Sequence, residues 1–244
     1  MDTNFRNTDI NKIEYATIVG ENKLLRASFS WMALAMLLTS LTALAFAFVP
    51  QLKDVLFVET DMGSKPTMLA YGAMFAPLIF VMAISFGFNK MSYPALIGLF
   101  VAYSIINGIS FSTIFLVYHI GSIATVFLST TALFAVMAIA GYTTKTDLTK
   151  MGSILMIGVV GIVIASLINL FMHNSQMDYI ISILGVIIFT GLTAYDVQKI
   201  KQLGEHGADT GLTSKLGIMG ALTLYLDFIN LFLFLLRLFG GRKD

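Results

Sequence analysis

Polar and apolar positions alternate along this chain in long blocks, with seven apolar stretches at about residues 29–49, 68–88, 94–118, 122–142, 151–172, 179–198 and 216–239. A helix rises ~1.5 Å per residue and the hydrocarbon core is ~30 Å thick, so ~20 apolar residues suffice to cross it. Each stretch is that long. The pattern predicts an all-α integral membrane protein: a seven-transmembrane helix bundle spanning 29–239, behind a polar segment 1–28 and before a short tail 240–244. Pro50, Pro66 and Pro94 fall at or near the ends of runs, where a missing N–H matters least. Pro77 lies inside the second stretch and is expected to kink it, freeing a carbonyl that neighbours must satisfy.

Composition agrees with a lipid solvent: 57% of residues are hydrophobic and 12% charged, about half the charge of an ordinary soluble domain. The net charge of +1 gives no basic field for nucleic acid. Without cysteine there are no disulfides, thiolate metal sites or thiol nucleophiles. The mixed-charge start, with Asp2, Asp9, Glu14 and Glu21, is unlike a signal peptide, so the first span is read as retained. A cytoplasmic N-terminus collects Arg6, Lys12, Lys23, Arg26, Lys90, Lys145, Lys150, Lys199, Lys201 and Lys215 on the inside. Lys53, Lys65, Arg237, Arg242 and Lys243 remain on the other side, so the positive-inside rule predicts N-terminus in and C-terminus out.

Against this background two lone acids stand out, Asp196 in the sixth stretch and Asp227 in the seventh. An ionised group at hydrocarbon depth costs at least ~2.5 kcal/mol unless paired or hydrated, so it defaults to a functional reading. The alternative is fixed polar glue between helices. Helical spacing aligns Gly220, Thr223, Asp227, Asn230 and Arg237 on one stripe of helix seven, and Ser182, Gly185, Thr193 and Asp196 on one side of helix six. Gly158, Gly161, Ala165 and Asn169 form a small-residue seam on helix five, and Tyr103, Asn107 and Ser110 a polar strip on helix three. These faces put helix seven in the middle. Lys199 is one turn from Asp196 and available to pair with it, whereas Asp227 has no base within a turn. If the two acids meet, they share a proton and titrate as a unit. Depth opposes this: Asp227 lies ten residues from Arg237 and Asp196 eighteen from Asp178, an offset of ~12 Å unless tilt or an exposed Asp178 removes it.

The segment FTGLTAYDVQKIK, residues 189–201, closely resembles the signature of the Bax inhibitor-1 family, and the seven-span layout resembles that family along almost the whole chain. The resemblance implies a pH-sensitive di-aspartyl site formed by Asp196 and Asp227 and linked to calcium leak, in what is expected to be a bacterial inner membrane. Arg237 matches a basic residue that the family pairs with an acid of helix two. Here residues 68–88 contain neither that acid nor the arginine that well-studied bacterial relatives carry beside it, so the latch is not expected in that form.

Three functions follow as expectations. The first is a proton-controlled, calcium-permeable leak channel or transporter without a resident cofactor, in which Asp196 and Asp227 hold Ca2+ weakly with help from Thr193, Tyr195, Asn230 and Asn107. In it, Lys199, Glu205, His206 and Asp209 are candidate cytoplasmic-loop groups; a plain solvated loop is the alternative. The second is a non-catalytic modulator of a membrane-protein partner such as a protease or cell-death protein. The third, an intramembrane aspartyl protease, fits Tyr195 and Asp196 but lacks the Gly-x-Gly expected before its second acid, since Leu224, Tyr225 and Leu226 precede Asp227. The expectation is a non-enzyme. His119 and His173 stand alone and are not metal ligands by spacing.

Overall fold

Residues 3–60, 63–206 and 210–243 are described by the structure, a computed structural model, with side chains described over 23–58, 65–205 and 212–243. The apolar runs become helices because lipid offers no partner for a bare amide, and a helix satisfies every N–H and C=O within itself. In order these are α1 (Thr3–Phe48), α2 (Pro50–Leu56), β1 (Phe57–Thr60), β2 (Gly63–Pro66), α3 (Met68–Gly87), α4 (Tyr93–Phe111), α5 (Ile114–Val117), α6 (Ile120–Thr143), α7 (Thr149–Met172), α8 (Ser175–His206) and α9 (Thr210–Phe239). Seven of them are long and apolar enough to cross a bilayer, with α4 and α5 counting as one span. The chain is an all-α membrane protein as its pattern predicts.

Two boundaries differ from expectation. The third span breaks at Ser112 and Thr113, whose hydroxyls donate to the carbonyls of Ile109 at 2.7 Å and Ser110 at 2.9 Å and compete with the helix ladder. α3 continues through Pro77. α8 does not stop at Gln198: it runs to His206, and α9 begins at Thr210, so residues 199–206 and 210–215 of the long last loop of the sequence reading are helix. The charges after Gln198 mark where hydrocarbon ends, while Ile200 and Gly204 still bury a face. Glu205 therefore sits on a helix; the side chain of His206 and the whole of Asp209 lie outside the described residues.

The chain divides into two compact units, Met1–Ser30 with Leu128–Leu238, and Trp31–Phe127 with Phe239–Asp244. In the second unit α1 packs on α4: a Cβ at Gly108 would lie 2.6 Å from the Thr39 carbonyl oxygen, and the Thr39 hydroxyl donates to the Ser104 carbonyl at 2.9 Å. The β1–β2 hairpin pairs Phe57 with Pro66 and Thr60 with Gly63, over a small core of Leu56, Phe57 and Ala70. Thr67 caps α3, accepting from the Ala70 N–H and donating to the Val55 carbonyl. The tail folds back on the turn before α6: His119 N–H donates to the Gly241 carbonyl and Lys243 N–H to that of Val117.

In the first unit α9 is flanked by α1, α6 and α8. A Cβ at Gly217 would meet Ala27, Phe228 stacks edge-on against Phe134 at 5.5 Å, and Phe234 lies over Phe189 at 5.9 Å. In its most apolar stretch 72% of residues are buried, against 50% or less in every other span, which makes it the core helix. α7 packs on α8 through Gly152, Leu155 and Gly158; Gly161, assigned to that seam from spacing, faces open space. Just before α7 stands Asp147, whose carboxylate accepts from the Thr149 hydroxyl at 2.6 Å and N–H at 2.9 Å and is held below the usual carboxylate range by these two bonds, in that order. A lowered folded-state pKa makes that contact favourable above the unfolded value and loses it as pH falls through the folded one.

Between α7 and α8 the turn passes through His173 at φ 51°, a left-handed position, with its N–H donating to the Asn169 carbonyl. Asn174 Oδ1 then accepts from the N–H groups of Gln176 and Met177 and caps α8. A non-glycine residue at that φ carries ~1 kcal/mol of strain, so His173→Gly is expected to leave the detergent melting temperature unchanged or raised, and His173→Val to lower it.

Candidate functional site

Antiparallel packing of α8 on α9 brings the two lone acids together. The carboxyls of Asp196 and Asp227 are in hydrogen-bond contact, with the side chains 7% and 3% exposed. Asp227 Oδ2 is buried and has no hydrogen-bond partner among the described residues. A buried acceptor left unpaired costs ~1–3 kcal/mol, so the protein tolerates a polar defect where an apolar side chain would be cheaper. Lys199 places its ammonium 5.8 Å from the centre of the Tyr195 ring, and its charge also acts on Asp196.

Three residues of the signature segment have a steric reason to be there. Gly191 leaves room for Leu155, Ala194 presents its carbonyl to Gly141 of α6, and Tyr195 lays its ring on Gly152 of α7. On the α9 side Gly220 admits Ser28 of α1 and Ile200 of α8. These contacts fix the rotation of α8 and α9 that points both acids inward, and all of them lie within the first unit.

Most of the expected helpers do not join the pair. The Thr193 hydroxyl donates to the Phe189 carbonyl at 2.8 Å and Asn230 Nδ2 to the Leu226 carbonyl at 2.8 Å, so both spend a donor on their own helix. Tyr195 covers Gly152 instead, and Asn107 belongs to the second unit, where it contacts Tyr103. No group of three or more His, Cys, Asp or Glu side chains able to hold a metal occurs among the described residues. Two carboxyls supply fewer oxygens than the roughly six to eight that a calcium ion takes.

The missing partner of Arg237 is Asp178. The guanidinium meets its carboxylate at 3.1 Å and stacks over Phe234 at 5.5 Å. The length of the arginine takes up much of the axial offset that seemed to separate the two acids deeper in the same helix pair. With both partners over a third exposed, at 37% and 36%, solvent screens the pair. A double-mutant cycle with Asp178→Asn and Arg237→Gln, read by melting in detergent, is expected to give a coupling of about 0.2–1 kcal/mol.

Sequence reasoning named Gln198 without giving it a role. It is buried and bonded at both ends of its amide to the α6–α7 connection, accepting from Leu148 N–H at 2.8 Å and donating to the Thr146 carbonyl at 2.9 Å. A lone glutamine at the charged end of an apolar run is the only signal it gives in one dimension.

A family model described as "Inhibitor of apoptosis-promoting Bax1" matches residues 21–244. Similar proteins include an uncharacterized protein of Borreliella burgdorferi, 40% identical over 232 residues that cover 95% of this chain and 97% of that one. The inner membrane protein YbhL of Escherichia coli K12 is 41% identical over 217 residues, 88% of this chain and 90% of YbhL. An uncharacterized protein of Caulobacter vibrioides is 33% identical over 241 residues, 98% and 96% of the two chains.

Proposed function

The chain belongs to the Bax inhibitor-1 family of membrane proteins, and from that premise we propose that it forms a calcium-permeable leak pathway controlled by protons at the Asp196–Asp227 pair. One observation carries the reading: two carboxyls buried against each other in the core of a membrane-length helix pair, with Asp227 Oδ2 unpartnered among the described residues. Carboxyls in hydrogen-bond contact hold one proton between them, because two bare like charges at that distance repel strongly in a low-dielectric setting. Losing that proton doubles the negative charge and frees oxygens for a hard cation; gaining a second removes the charge altogether. Calcium occupancy of the pair therefore rises with pH.

In this reading the N-terminus is cytoplasmic and the C-terminus outside, supported by the ten basic residues on one set of loops against five on the other. The membrane is the bacterial inner membrane, the location in the name of the E. coli relative. The test is calcium flux from proteoliposomes as a function of pH, wild type beside Asp227→Asn. Flux that rises with pH in the wild type and rises less in the variant is the expected result. Equal flux with an equal pH response in both proteins overturns the reading.

A further inference from the structure

Asp196 and Gln198 lie two residues apart on α8, hence on opposite faces of the helix. One face carries the carboxyl that meets Asp227; the other carries a buried amide fastened by two hydrogen bonds to backbone atoms of the 144–148 connection. Near the same connection, Lys201 sits over the Tyr142 ring at 5.0 Å, and Asp147 ties the connection to the first turn of α7. Backbone at both sides of the fastening is thus held by helices other than α9.

We propose that Gln198 is a positioning residue: by locking α8 to the α6–α7 connection it sets the rotation and height at which Asp196 meets Asp227. The proposal rests on the reading of that pair as the functional site. Packing at Gly191, Ala194 and Tyr195 already orients α8 on this side, and the Gln198 amide adds a polar register to it. The amide supplies direction: it has one acceptor and one donor end, and both are satisfied only in a single register of helix and loop. A residue of similar length without polar atoms keeps the volume and loses the register.

The chain has no cysteine, so introduced pairs report without background. Asp196→Cys with Asp227→Cys is cross-linked in proteoliposomes by the shortest bis-methanethiosulfonate, and the rate is measured with Gln198 intact and with Gln198→Met. Gly185→Cys with Phe234→Cys, on the same two helices and within reach because a Cβ at Gly185 falls 2.5 Å from the Phe234 ring, serves as the distant control. Loss of two hydrogen bonds is expected to slow the 196–227 reaction at least ~tenfold while the 185–234 reaction is unchanged. Leu148→Pro, which removes the N–H given to Gln198 and leaves Gln198 in place, is expected to slow it in the same direction by less. An unchanged 196–227 rate in Gln198→Met, or an equal slowing of the control pair, overturns the proposal. If Gln198→Met does not fold, Leu148→Pro decides alone: a slowed rate supports the anchor and an unchanged rate overturns it.

The cross-linking needs no calcium, so it stands apart from the functional reading. Calcium flux of Gln198→Met, with the two aspartates present, is measured in parallel. Slowed cross-linking with wild-type flux and pH response would uphold the anchor and sink the role of the pair. Altered flux with normal cross-linking would sink the anchor.

Discussion

Calcium efflux through the Asp196→Asn, Asp227→Asn double variant is expected to be flat with pH and at least ~tenfold below wild type in alkaline buffer, with each single variant between the two. The order follows from which charges each protein can reach. Two carboxyls in contact pass through three protonation states as a unit. Asparagine keeps the size and the donor of a protonated aspartate and cannot ionise. A single variant therefore alternates between neutral and singly charged, and the double variant is neutral at every pH. Only the wild type reaches the doubly charged pair that holds a divalent cation well. A tenfold difference asks for ~1.4 kcal/mol, well below the ~4 kcal/mol that one more unit charge at 4 Å supplies at an effective dielectric of 20, before the cost of stripping water from the ion. The measurement is calcium-dye efflux across a pH series, with gel filtration to verify folding. Singles that track the wild type in both rate and pH response would remove the pair from the pathway. Because each single keeps a hydrogen-bonded polar pair, a loss of flux in it cannot be laid to an empty cavity.

How far the sequence reached depended on whether a feature is written along the chain or across it. Spans were legible because the length of an apolar run is compared with a fixed thickness of lipid, and nothing elsewhere in the chain alters that comparison. The acid pair was legible because a charge in hydrocarbon needs a partner and Asp227 has none on its own helix. Its helpers were not: a threonine or asparagine in a helix always has the carbonyl four residues back within reach, and Thr193 and Asn230 both take it. The seam on helix five was legible in part: Gly158 packs on Ile188 of α8, Gly161 faces open space, and Gly152, off the stripe that spacing suggested, takes the Tyr195 ring. Asp178 was invisible as a partner for Arg237, since each looks like an ordinary charge at the membrane surface until α8 and α9 are known to be neighbours. The end of α8 was placed at the first lysines because charge ends a span, yet a helix leaving the bilayer has water and its own ladder to sustain it.

Gly141→Ala is expected to be among the most damaging single-methyl changes in the first unit, while Gly161→Ala is harmless. At Gly141 the new Cβ would run into the carbonyl oxygen of Ala194 and lie 2.8 Å from its C and Cα atoms. Those are backbone atoms of α8 and cannot rotate away as a side chain can; relief comes only by parting α6 from α8. Close packing makes that costly, about 3 kcal/mol on the usual scale for overfilled interiors. At Gly161 nothing lies within 4 Å, and alanine is the better helix former by up to ~1 kcal/mol. Melting of the two variants in detergent separates them: a drop of several degrees for Gly141→Ala, and no change or a small rise for Gly161→Ala. The consequence reaches the carboxyls, because Ala194 is two residues from Asp196 and any parting of α6 from α8 moves the helix that carries it. Gly141→Ala protein that survives purification should therefore also cross-link more slowly between cysteines at 196 and 227. A variant that melts like the wild type would mean that α6 and α8 do not approach as closely as the geometry at Gly141 requires, and the rotation of α8 that points Asp196 at Asp227 would lose one of its supports.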